Sequence, residues 1–169
     1  MPKTFKAVVS ALAIIILGAA SYNYFAFADE RKVQRTLLEL REKVSAPTTG
    51  GLNTAITAAA LKPLFAPEVN IFFQYGGELR LAVDRDELLR IIIGIKQNNP
   101  ELKVKFDFSH RNVTITEDRT ATVSALTKVE NLHETFEPRR LTFTFEKEEA
   151  RWRLAAVAEG SAKLGTVRK

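Results

Sequence analysis

Three side chains stand where an apolar strand face runs out into polar sequence. Tyr75 lies two residues after Phe73, His110 two after Phe108, and Arg139 two before Leu141. A phenol, an imidazole and a guanidinium at the rim of an apolar pocket can orient a small ligand, because each offers a directed donor beside surface that excludes water. Tyr75, His110 and Arg139 are therefore the candidate ligand-binding residues. Other chemistries find little to work with. His110 and His133 are the two histidines, at no paired spacing, and there is no cysteine, so neither a protein-built zinc site nor a thiolate nucleophile is expected. Serine and threonine are plentiful, but no histidine is spaced to activate one. Gly50–Gly51 and Gly76–Gly77 are turn pairs, without the lysine and strand-to-helix setting of a phosphate loop. The sequence calls for no metal and no cofactor.

The chain has 169 residues, 46% hydrophobic and 27% charged, which suits one domain with its own core plus an appendage. Lys3 and Lys6 supply two of the net charge of +5, leaving 23 basic against 20 acidic residues from Asp29 onward. The basic residues are scattered among acids, with no run longer than Arg139–Arg140. A surface that tracks phosphates needs clustered cations, so no nucleic-acid partner is expected.

The appendage is residues 1–28. Lys3 and Lys6 precede the uncharged run Ala7–Ala20, and Ala26-Phe27-Ala28 stands before the first acids, Asp29 and Glu30. A positive start, an apolar core and an A-x-A site fit a signal peptide cleaved before Asp29. The rival reading keeps Ala7–Ala28 as one transmembrane anchor of 22 residues, with Tyr22, Tyr24, Phe25 and Phe27 at the far interface. Cleavage is favoured, because Asn23 and two tyrosines make a poor last turn in hydrocarbon. Under either reading the positive start places residues 29–169 outside the cytoplasm, exported or anchored.

Residues 29–160 carry the domain and 161–169 a polar tail. Val33, Leu37, Leu40 and Val44 form one helical stripe over Asp29–Val44. A second, alanine-rich helix follows the Ser45–Gly51 loop and ends near Pro63. Val69–Tyr75 and Glu78–Val83 alternate about the Gly76–Gly77 turn as a hairpin. Asp84 is placed to cap a third helix, Arg85–Gln97, apolar over more than one stripe. From Glu101 the period is two. Leu102, Val104, Phe106 and Phe108 share a face, and Val113 and Ile115 continue in opposite parity, which requires a bend near Ser109–Asn112. Ala121, Val123, Ala125, Thr127 and Val129 return. The final hairpin turns inward Leu141, Phe143 and Phe145, then Trp152, Leu154, Ala156 and Ala158; Leu126, Ala155 and Val157 fall on the outer face.

Helices followed by long strands argue an α+β domain: a bent, cone-shaped antiparallel sheet with about three helices on its concave face. Leu64-Phe65-Ala66-Pro67-Glu68-Val69, Val113-Thr114-Ile115 with Ala121-Thr122-Val123, and Leu141-Thr142-Phe143-Thr144-Phe145 with Arg151-Trp152-Arg153-Leu154 follow in an order that resembles the nuclear transport factor 2-like (SnoaL-like, cystatin-like) superfamily over Arg31–Glu159. The resemblance implies a conical pocket between helices and sheet, and frequent homodimers through the outer sheet face. It leaves activity open, since the superfamily includes isomerases, dehydratases, cyclases and noncatalytic modules. Steroid-isomerase-like members use a first-helix tyrosine and an acid after the first strand. Here the first helix has no tyrosine, and Asn70–Tyr75 holds no acid. The nearest counterparts of a dehydratase-like histidine–aspartate pair are Asp107 and His110, which a separation of three puts on opposite faces of a regular strand.

The expected function is an exported domain, noncatalytic or cryptically catalytic, that binds a small apolar ligand in its pocket. The alternatives are a membrane-anchored interaction module of the cell envelope and a SnoaL-like isomerase, cyclase or dehydratase using Asp107 and His110.

Overall fold

The computed structural model describes residues 28–47, 51–74, 78–108, 113–116, 119–131 and 136–160. Tyr75, His110, the Gly76–Gly77 turn, the leader through Phe27 and the tail from Ser161 lie outside the described residues. The described elements are α1 (Ala28–Ser45), α2 (Gly51–Leu61), a 3-10 turn (Lys62–Leu64), β1 (Phe65–Gln74), β2 (Glu78–Asp84), α3 (Arg85–Asn98), β3 (Lys103–Asp107), β4 (Val113–Ile115), β5 (Thr120–Glu130), β6 (Arg139–Glu148) and β7 (Arg151–Glu159). The α+β class and the helices-then-strands order are as expected.

The spacing that makes α1 amphipathic also decides its packing. Val33, Leu37 and Leu40 are buried against the sheet, while Asp29 and Glu30 sit in the first turn, where the helix dipole favours negative charge. Asp84 caps α3: its Oδ1 accepts the Asp86 N–H at 2.8 Å, satisfying one of the unpaired donors of the first turn.

The seven strands run β2-β1-β7-β6-β5-β3, with β4 pairing beside β3 on β5. One junction departs from the expected antiparallel sheet. The C-terminal strand β7 inserts between β6 and β1, and its pairing with β1 is parallel. The alternation within each strand carries no information about this placement. Two irregularities meet at the junction. On one side of β7 the register slips between Thr144 and Phe145, so Leu154 faces Phe145, Ala156 faces Thr144, and Ala155 is the extra residue. On the other side β1 slips between Phe65 and Asn70, across Pro67, which has no N–H to give a ladder. Bulges bend and twist the strands that carry them, and paired here they curve the centre of the sheet.

The bulge overturns part of the expected parity. Beyond Ala155 the faces exchange: Val157 faces Phe143 and turns inward, while Ala156 and Ala158 pair with Thr144 and Thr142 on the outer face. The apolar outer surface expected from Leu126, Ala155 and Val157 reduces to Leu126, since Ala155 is buried and Val157 packs on the core. Phe143, Phe145, Trp152 and Leu154 are buried as expected, each worth ~2 kcal/mol in apolar area removed from water. On β5 Ala121, Val123 and Ala125 are buried on the concave face. Phe106 and Phe143 meet there edge to face, with ring centroids 5.1 Å apart.

The expected parity change after Phe108 is present. Phe106 on β3 and Val113 on β4 both belong to the core although both strands pair with β5. The bend itself, residues 109–112, lies outside the described residues.

Candidate functional site

A cavity of about 200 Å³ lies between the helices and the concave face of the sheet. Each wall follows from a pattern already described. The buried stripe of α1 supplies Leu40 and Val44, and α3 contributes Leu88 and Ile92, one helical turn apart. From β1 come Phe65, Val69 and Ile71; from β3, Val104 and Phe106. Phe143 on β6 and Leu154 and Val157 on β7 form the floor, and Val157 reaches it because of the Ala155 bulge. Among the described residues Arg41 is the single polar one of the lining. It stands four residues after Leu37 and three before Val44, on the flank of the apolar stripe.

Arg41 and Val104 also line a shallower groove with Glu42, Ser45, Ala46, Lys103 and Lys105, so cavity and groove adjoin along the seam between α1 and the edge strand β3. Ser45 fastens that seam: its hydroxyl accepts the Val104 N–H at 2.9 Å and donates to the Val104 carbonyl at 3.3 Å. Lys105 is engaged elsewhere, 2.8 Å from Glu130, which also meets Lys128 at 2.9 Å. Hydrogen bonds from Lys105 and then Lys128 hold the Glu130 carboxyl at a pKa of about 2. Among the described residues no carboxylate pairs with Arg41 or Lys103.

Behind the helical wall, Lys96 on α3 is 1% exposed. Its ammonium donates to the carbonyls of Val44 and Ala46 at the end of α1. Two acceptors and the negative end of a helix dipole hold the charge there, while burial pulls the pKa of the lysine below its ordinary value. Lys96 thereby fixes α3 against α1, two of the walls of the cavity. At the other end of α1, Asp29 meets Lys147 of β6 at 2.7 Å, and that hydrogen bond holds the Asp29 carboxyl below the usual carboxylate range.

Of the residues singled out from sequence, the two that are described, Arg139 and Asp107, do not line this cavity. Arg139 is exposed at the start of β6, its guanidinium 2.6 Å from Glu159 Oε1, and it is absent from the lining. Asp107 ends β3 opposite Leu126, sharing the outward parity of Lys103 and Lys105 and pointing away from the cavity. Tyr75 and His110 lie outside the described residues. Sequence reasoning missed Arg41 and Lys96. Both signals were present: each is a cation placed on an apolar helical arc, Arg41 after Leu37 and Lys96 four residues after Ile92. Among the described residues no cluster of histidine, aspartate or glutamate is arranged to hold a metal ion. The described lining contains no histidine, carboxylate, tyrosine or hydroxyl, and so no proton acceptor for acid–base chemistry.

No protein-family model matches the sequence. No curated protein matches it either. Solved structures do. The chain is similar to an NTF-2-like protein of unknown function from Pseudomonas aeruginosa, at 16% identity and a TM-score of 0.54, with 78% of this chain and 96% of that one covered. It is similar to a cystatin-like-fold protein of unknown function from Nostoc punctiforme at 12% identity and a TM-score of 0.54, covering 82% and 96%. An NTF-2-like protein of unknown function from Shewanella oneidensis matches at 15% identity and a TM-score of 0.54, covering 76% and 96%. At these identities the likeness is one of fold. With a seven-stranded curved sheet, three helices over one face and a cavity between them, the domain has the nuclear transport factor 2-like, or cystatin-like, fold.

Proposed function

We propose that this domain binds a small apolar ligand, without catalysing its conversion, in the cavity between α1, α3 and the sheet. The observation that carries the reading is the lining: twelve apolar side chains and one arginine around about 200 Å³. That volume is below the roughly 300–1,000 Å³ of drug-sized sites. The reaction alternative lacks a base in the described wall. The test is calorimetric titration of the purified full chain, held soluble in amphipol, with 1-octanol. Saturable binding that weakens when Leu88→Trp fills the cavity supports the reading; no saturable binding removes it.

Export or anchoring of the domain is part of the proposal, supported by Lys3 and Lys6 ahead of Ala7–Ala20. Among the described residues no helix is long and apolar enough to cross a membrane. The N-terminal residue of the protein isolated from membranes, read by mass spectrometry, separates a cleaved signal from an anchor.

A second reading, an anchored interaction module that pairs with a second copy, is favoured by one observation. Leu79 and Leu81 on the edge strand β2, and Ile91 and Ile95 on α3, are each about half exposed. Cross-linking before and after Leu81→Lys with Ile95→Lys checks it: a dimer lost in the variant supports the reading, and a chain that never dimerises removes it.

A further inference from the structure

Resting on the ligand-binding reading, we infer that the ligand is a single-chain amphiphile with an anionic head, its tail in the cavity and its head on Arg41. Arg41 lends the cavity only its apolar stem, since no polar surface faces the interior, and an amphiphile matches a side chain that is apolar along its length and cationic at its end. The residue lies where such a head would sit. Arg41 belongs both to the half-enclosed cavity and to the more open groove between α1 and β3, so it marks the passage from one to the other.

The charges around that passage point the same way. Among the described residues Arg41 and Lys103 have no carboxylate partner, whereas Lys105 in the same groove is taken by Glu130. Two uncommitted cations against the single acid Glu42 leave the groove net positive. The planar guanidinium presents paired N–H donors that match the two oxygens of a carboxylate or a phosphate monoester. The apolar depth behind it accepts a short alkyl chain, because Leu40, Val69, Ile71 and Val157 present no hydrogen-bonding atom to satisfy a polar tail. The edge of β3 is closed on this side by the Ser45–Val104 hydrogen bonds, so the head meets side-chain cations and not an open strand.

The test compares octanoate, octyl phosphate and 1-octanol, which share a tail and differ in head, on the full chain in amphipol by calorimetry. Partition into the amphipol differs between the compounds and is subtracted with protein-free amphipol titrated with each; it is the same for every variant. Either anion is expected to bind at least about tenfold more tightly than 1-octanol, the scale of a charge-assisted hydrogen bond. The tighter of the two identifies the head. Arg41→Gln is expected to collapse the anion-to-alcohol ratio towards one, and Arg41→Lys, which keeps charge without the fork, to leave an intermediate ratio. Lys103→Gln provides a fold-neutral check, lowering the ratio by a smaller factor that shrinks in high salt. Equal affinity for anion and alcohol, or a ratio indifferent to Arg41→Gln, overturns this inference while leaving the apolar-ligand reading intact. Failure of all three compounds to bind removes both.

Discussion

Phe143 on β6 and Val157 on β7 are direct partners across the central antiparallel pair, and both face the cavity. The pairing exists because Ala155 is bulged out, so the first residue of any bulk after Leu154 turns inward three positions later. The bulge therefore shapes the floor of the pocket as well as bending the sheet.

Val157→Phe should occupy the cavity. Because the added ring enters empty space, the expected stability change is about 1 kcal/mol or less, below the usual cost of overpacking. Affinity for 1-octanol should fall more than about tenfold. Val157→Ala should enlarge the cavity at ~1–2 kcal/mol. Chemical denaturation with parallel calorimetry checks both, and a Val157→Phe protein that binds as well as the parent would show that this floor is not used.

Lys96→Met should loosen the joint between α3 and α1. It removes the donor from the carbonyls of Val44 and Ala46, and the expected loss is ~1–3 kcal/mol. The pH dependence has a definite sign. Burial lowers the folded pKa of Lys96 from its ordinary 10.5, so in that window the unfolded chain holds the proton that the folded chain has released. Stability from this residue therefore rises with pH between the folded value and 10.5. The stability gap between parent and Lys96→Met should widen as pH rises through the folded value toward 10.5; a narrowing gap would contradict this account.

Asp29→Asn should cost ~0.5–1 kcal/mol at neutral pH, since the pair with Lys147 is partly exposed. The folded pKa of Asp29 is lowered, chiefly by the Lys147 hydrogen bond, so its contribution is complete above the unfolded value and lost as pH falls through the folded one. Urea melts of parent and variant should converge as the solution becomes strongly acidic. Curves that stay parallel into acid would remove the pair from the stability account.

How far the sequence foretold this molecule depends on what alternation can express. The stripe Val33–Leu37–Leu40, the Asp84 cap, the parity change between Phe106 and Val113, and the buried Phe143, Phe145, Trp152 and Leu154 all follow from periods of 3.6 or 2. The parallel β1–β7 neighbour does not, because periodicity names faces and not partners. The inward turn of Val157 was hidden by composition: in Leu154-Ala155-Ala156-Val157-Ala158 every residue is apolar, so a slipped register leaves no polar residue out of place. At the site the attention given to strand ends led to Arg139, which Glu159 neutralises, and to Asp107, which points outward. The more telling cations were those intruding on helical apolar arcs, Arg41 and Lys96.

The most direct test of the ligand cavity is methyl-resolved NMR of the full chain in amphipol during titration with 1-octanol. Saturable shifts are expected at the methyls of Val69, Ile71, Leu88, Ile92 and Val157, which line the cavity. The exposed methyls of Leu79 and Leu126 should stay in place. Shifts confined to the exposed methyls, or none that saturate at the lining residues, would contradict the account.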